Sequence, residues 1–217
     1  MSAAHLTRRE KLQTLAGMAL AMFLAALDQT VVATAGPEMQ RSLGMDASLY
    51  AWITTAYLVS STVLVPVYGK LSDLLGRKKV IVFGVIVFVG ASVLCGVAQS
   101  AAQLIAFRAL QGVGSASLFT SAFAVIADLF PPAERGRYSG LFGAVFGVSS
   151  LVGPLLGGFI TDQFGWHWVF FINLPLGAIA LGFIVARMPP LKPQLAYTPR
   201  VDVPGAVLLA VGVVPLL

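Results

Sequence analysis

The sequence predicts an all-α membrane protein, a bundle of six spanning helices, and three observations predict it. Of 217 residues, 58% are hydrophobic and only 11% are charged, whereas a soluble domain carries about 25% charged residues. The few charges are segregated, since six long apolar segments hold just two of them. The basic residues outside those segments fall in alternate connections, as membrane topology requires. Disorder is excluded, because it needs high charge and low hydrophobicity.

The apolar segments are residues 12–35, 49–68, 80–98, 101–127, 138–161 and 166–186. At about 1.5 Å per residue, about 20 helical residues cross a 30 Å hydrocarbon core, so each is long enough or nearly so. The first follows a basic start (Arg8, Arg9, Lys11) and is too long for a cleavable signal, whose apolar core is about 7–15 residues. It reads as an uncleaved first helix. A Pro-rich stretch follows the sixth segment, and a seventh apolar run begins near Val203 and stops at Leu217, too short to span. The expected organisation is a cytoplasmic N-terminus (1–11), a six-helix bundle (12–187), a cytoplasmic linker (188–202) and the start of a truncated seventh helix (203–217).

Orientation follows from Lys and Arg. With the N-terminus inside, the inner segments hold 12 of them and the outer loops hold Arg41 alone, a strong positive-inside bias. Tyr50, Trp52, Trp166 and Trp168 lie at the outer ends, where an aromatic belt belongs. The same distribution accounts for the net charge of +5 without nucleic acid as a partner. Cys95 is the single cysteine, so it forms no intrachain disulfide.

Two charges lie in the oil. Asp28 in the first segment and Arg108 in the fourth are each seven residues from the outer end of their segment, about 10 Å deep. Each costs about 2.5–3.5 kcal/mol at mid-membrane and therefore faces the bundle interior or a wet cavity. Desolvation and a neighbouring cation pull a carboxyl group in opposite directions. Asp28 is thus the candidate proton carrier and Arg108 its tuner.

Glycine-rich motifs punctuate the bundle. Residues 69–79 connect the second and third segments and contain Gly69, Asp73, Gly76, Arg77 and Lys78. Basic residues alone would serve the positive-inside bias, whereas the glycines permit tight turns and close helix approach. The fourth segment carries Arg108, Gln111, Gly112 and Gly114, and the fifth carries Gly153, Pro154, Gly157 and Gly158. Small residues let helices approach, and a proline frees a backbone acceptor. The Gly-x-Gly of the fourth segment follows no strand and is no dinucleotide site. Prolines late in the second and fifth segments (Pro66, Pro154) and charges in the first and fourth suggest two inverted three-helix repeats.

Taken together, these residues resemble the major facilitator superfamily over about 12–190. Residues 69–79 look like its signature between helices 2 and 3, and residues 108–116 like its helix-4 motif. Residues 153–158 look like the helix-5 motif of drug:proton antiporters. Residues 27–37 and 166–177 are similar to motifs of the antiporter subfamily with fourteen helices. Ala33, Gly36, Ser149 and His167 depart from the usual pattern.

The resemblance implies an N-terminal half that works by alternating access against a missing C-terminal half. Gly69, Asp73, Gly76, Arg77 and Lys78 act as an inside gate, and Gly153, Pro154, Gly157 and Gly158 as the antiporter hinge. It also implies a bacterial inner membrane, a proton gradient as drive, and a small lipophilic substrate. An apolar, aromatic drug pocket is expected to draw on Gln29, Thr30, Tyr57, Gln111, Phe119, Phe123, Phe142 and Phe146. The alternatives are a metabolite, lipid or sugar transporter of the same fold, or a truncated fragment without transport of its own. No phosphate loop, zinc-protease motif or nucleophile elbow is present in the sequence, so neither an enzyme nor a cofactor or metal is expected.

Overall fold

The computed structural model describes residues 6–191 together with Gly205 and Gly212. The expected linker beyond residue 191 and the expected seventh helix, those two glycines apart, lie outside the described residues. The elements are α1 (Arg8–Ser42), α2 (Ala47–Leu75), α3 (Arg77–Gly96), α4 (Ala101–Leu129), α5 (Pro132–Phe164), α6 (Trp168–Phe171) and α7 (Asn173–Arg187). They supply six helices long and apolar enough to cross a membrane, with α6 and α7 forming the sixth.

α1, α2, α4 and α5 overrun their apolar segments, and caps show why for three of them. Glu10 closes a capping box with Thr7, so α1 begins at Arg8 rather than at residue 12. Its other end passes through Pro37 to Ser42. Asp46 caps α2 by accepting the Leu49 N–H at 2.8 Å. Pro131 and Pro132 open α5 six residues before its apolar run, a position where the missing N–H costs nothing. α2 and α5 also run unbroken through Pro66 and Pro154.

One connection differs from the sequence expectation. Residues 69–79 are not a loop, since α2 continues to Leu75 and α3 begins at Arg77. Gly76 alone makes the turn, at φ +92°, a conformation that side chains with a Cβ rarely adopt.

Packing crosses between the two triplets. α2 lies mainly against α4, α5 against α1, and α3 and α7 fill the remaining sides of α4 and α1. Exchanging α1 with α4, α2 with α5 and α3 with α7 maps this pattern onto itself, as two internal repeats would. Glycines set the closest approaches. A Cβ on Gly114 would lie 2.5 Å from the Phe88 backbone nitrogen, and one on Gly84 would lie 2.5 Å from Ser117 Oγ. Gly112 faces Tyr57 and Ser60 on α2 in the same way. The two glycines of the fourth-segment motif therefore serve different neighbours.

Candidate functional site

The site is built at the crossing of α1 and α4. Asp28 and Arg108 are 0% and 1% exposed, and Arg108 Nη1 donates to Asp28 Oδ2 at 2.7 Å. α1 extends seven residues past the outer end assigned from hydropathy, so residue 35 was a poor depth marker, yet the two charges still meet. Arg108 Nη1 also donates to Gln111 Oε1 at 2.7 Å, and Nε reaches the Ile53 carbonyl at 3.4 Å. Its guanidinium lies 4.2 Å from the Tyr57 ring centroid, a cation–π contact. The Tyr57 hydroxyl donates to Ser115 Oγ at 2.6 Å.

The other carboxylate oxygen, Asp28 Oδ1, receives two amides, Gln111 Nε2 at 2.9 Å and Asn173 Nδ2 at 2.7 Å. Asn173 Nδ2 also donates to Ser92 Oγ at 2.9 Å, and Ser92 Oγ donates to the Phe170 carbonyl at 2.8 Å. Cys95 Sγ sits 3.8 Å from Gln111 Oε1. Three donors converge on one carboxylate and satisfy it as an anion.

The sequence reading missed Asn173 and Ser92. The available signal was composition: Asn173 is the only asparagine in the chain and interrupts an apolar span. It opens α7, one residue after Ile172, whose backbone is itself right-handed helical.

A second charged cluster gathers the C-terminal ends of α2 and α4 and the N-terminal end of α3. Arg77, 6% exposed, donates through Nε to Asp128 Oδ2 at 2.8 Å, and its Nη1 pairs with Asp73 Oδ1 at 2.7 Å and contacts Ser72 Oγ. Asp128 was also missed, because it lies just beyond the apolar run. Lys78 Nζ donates to the carbonyls of Val185 (2.8 Å) and Met188 (2.6 Å), and the Arg77 N–H donates to the Leu191 carbonyl at 3.0 Å. Gly69 has only an ordinary contact, with Thr120.

The expected hinge residues divide. A Cβ on Gly153 would strike Thr30 Oγ1, and one on Gly157 would lie 3.0 Å from the Val31 carbonyl oxygen, so both seat α5 on α1. Gly158 meets nothing within 4 Å, and Pro154 is exposed. Thr30 Oγ1 lies 3.1 Å from the Ser149 carbonyl oxygen, one turn away along the same seam.

The candidate substrate residues also divide. Gln29 and Thr30 are half-buried beside Asp28, whereas Tyr57 and Gln111 are sealed into the charge cluster. The phenylalanines join α4 to α5 in pairs: Phe119 stacks on Phe146 and Phe123 meets Phe142 edge-on, both with centroids 5.8 Å apart. Phe142 is buried, while Phe123 and Phe146 are exposed. An apolar groove of about 490 Å³ between α1 and α5, lined by Leu20, Phe23, Leu141 and Val148 among others, contains none of these candidates. Outside the spans, His167 stacks on Trp166, and burial pushes its imidazole below the usual histidine range.

Paired triplets of spanning helices around a buried intramembrane ion pair are an arrangement found in many transporter folds. The family model of the Major Facilitator Superfamily matches residues 18–214, and the chain belongs to that family. It is 48% identical over 202 residues to Multidrug resistance protein 3 of Bacillus subtilis (strain 168), covering 93% of this chain and 39% of that relative. It is 46% identical over 201 residues to the multidrug transporter protein MdtP of the same organism, covering 93% and 37%. The chain thus spans under two-fifths of the length of these relatives. Among solved structures, the human organic anion transporter MFSD10 (TETRAN) superposes with TM-score 0.74 at 19% identity, covering 91% of this chain and 52% of that one. The chain is an integral membrane protein of a transporter family and not an enzyme.

Proposed function

We propose that this chain forms the proton-coupling bundle of an exporter of lipophilic compounds that works by alternating access. The observation that carries this reading is the Asp28–Arg108 pair, buried in a hydrogen-bonded cluster between two central helices. A carboxylate held there exchanges a proton when the surrounding helices shift and a donor leaves it. The names of the two Bacillus relatives support drugs as cargo. The positive-inside bias supports a cytoplasmic N-terminus, and kinship with bacterial transporters supports a bacterial inner membrane.

In this reading Asp73, Gly76, Arg77 and Lys78, with Gly69 beside them, gate the inner side. Their ties to α4 and to the exit of α7 support that role. Gly153, Pro154, Gly157 and Gly158 let α5 hinge on α1. Gln29, Thr30, Phe119, Phe123 and Phe146 face or flank the transport path, and Tyr57, Gln111 and Phe142 shape it from behind. The opposing wall comes from a C-terminal bundle outside this sequence.

The test is substrate-driven proton movement in proteoliposomes, with cell protection against unrelated lipophilic cations as a second readout. Asp28→Asn is expected to abolish both while insertion and helix content stay normal. Undiminished proton movement in that variant overturns the proposal. Protection against no drug, with proton movement intact, favours a metabolite, lipid or sugar as cargo.

A further inference from the structure

Asp28 accepts three hydrogen bonds, and none comes from a group that offers it an acceptor. A proton arriving from the aqueous phase turns one oxygen into a donor, and that donor needs a lone pair to face. At Oδ2 the neighbour is Arg108, which has no acceptor at all. At Oδ1 the neighbours are two amides, each of which carries a carbonyl oxygen on its far side.

The two amides are not equivalent. Gln111 Oε1 is already engaged by Arg108 Nη1 at 2.7 Å, so turning this amide would aim its NH2 at a cation. Asn173 Oδ1 is buried and has no hydrogen-bond partner, the one acceptor of the cluster left unused. Turning Asn173 about its terminal torsion exchanges Nδ2 for Oδ1, presents the carbonyl to both Asp28 Oδ1 and Ser92 Oγ, and moves the NH2 to the buried side where Oδ1 now lies unpartnered, so the turn is driven only while the protonated carboxyl demands an acceptor. Ser92 then donates to Asn173 in place of the Phe170 carbonyl that it now holds at 2.8 Å. Phe170 lies in α6, three residues before Asn173 in the same span.

We propose that Asn173 is a positioning residue that reads the protonation state of Asp28, its amide turning as the carboxyl gains a proton and releasing the Phe170 carbonyl through Ser92. The proton state of α1 is thereby passed to the Phe170 carbonyl in the sixth span. The inference rests on the proton-carrying role of Asp28 proposed above. The other ionisable groups around this cluster are Arg108 on α4, Tyr57 on α2 and Cys95 on α3. Among the described residues, α5, α6 and α7 send no charged group to it.

Because Asn173 is the only asparagine, side-chain ¹⁵N-asparagine labelling of the chain in lipid nanodiscs gives a single amide signal with no assignment problem. ¹³C-aspartate labelling follows the Asp28 carboxyl in parallel, identified by its loss in Asp28→Asn. The expected result is that both signals shift on acidification with one shared midpoint, and that the amide signal of Asp28→Asn is independent of pH. An Asp28 signal that titrates while the Asn173 amide stays fixed overturns this inference and leaves the proton-carrier reading standing. An amide that still titrates in Asp28→Asn also overturns it, since another group is then being sensed. An Asp28 signal that never titrates while the protein remains folded removes both.

Discussion

At the scale of single residues, the chemistry turns on one carboxylate and the groups that satisfy it. Arg108 is the only cation bonded to Asp28 among the described residues, so Arg108→Ala leaves a buried charge unpaired. Breaking a buried pair in this way costs about 3–5 kcal/mol. The expected outcome is a large drop in thermal stability in nanodiscs, read by tryptophan fluorescence, and partial recovery in the Asp28→Asn/Arg108→Gln double variant. Equal losses in the single and double variants would show that the pair contributes no coupling. Asp28 and Arg108 were legible in the sequence because a charge in an apolar run is conspicuous. Ser92 was not, because neutral polar side chains are ordinary in spanning helices and only the fold reveals which face each occupies, and Asn173 left no signal beyond being the single asparagine. Asp128 hid at the edge of its segment, where an acid reads as loop.

At the scale of elements, hydropathy located the six spans but not the helices. It reports which residues prefer hydrocarbon, whereas a helix ends where its backbone is capped or turned. Residues 69–75 are polar and glycine-bearing yet helical, and Gly76 alone stops the helix. The sixth span begins at Trp168 rather than residue 166, and its backbone stays in the right-handed helical region through Ile172, between α6 and α7. Glycines show the same contrast. Gly114→Ala drives a methyl group into the α3 backbone, and overpacking of this kind costs about 1–3 kcal/mol. A Cβ on Gly140 would meet nothing within 4 Å, so Gly140→Ala is expected to leave stability unchanged or slightly raised, since alanine is the better helix former. Comparing the melting temperatures of the two variants checks this, and a neutral Gly114→Ala would contradict the close approach of α3 and α4.

At the scale of the whole molecule, the proposed orientation is open to direct labelling. In a Cys95→Ala background, Gln99→Cys is expected to react with a membrane-impermeant maleimide on intact cells. Ala133→Cys, at the start of α5, is expected to react only after lysis, and the reverse pattern would invert the topology. The six spans could be read from composition. The exchange of partners between triplets could not, because each apolar face suits many neighbours and only shape, glycine against backbone, selects among them. That exchange also bears on how the protein is made. Asp28 precedes Arg108 by 80 residues, and at about 5–20 residues per second of synthesis the second partner emerges roughly 4–16 s after the first. During that interval the nascent first span holds a carboxylate that its own triplet does not neutralise, so the earliest stage of biogenesis favours lodging beside the insertion machinery over release into lipid.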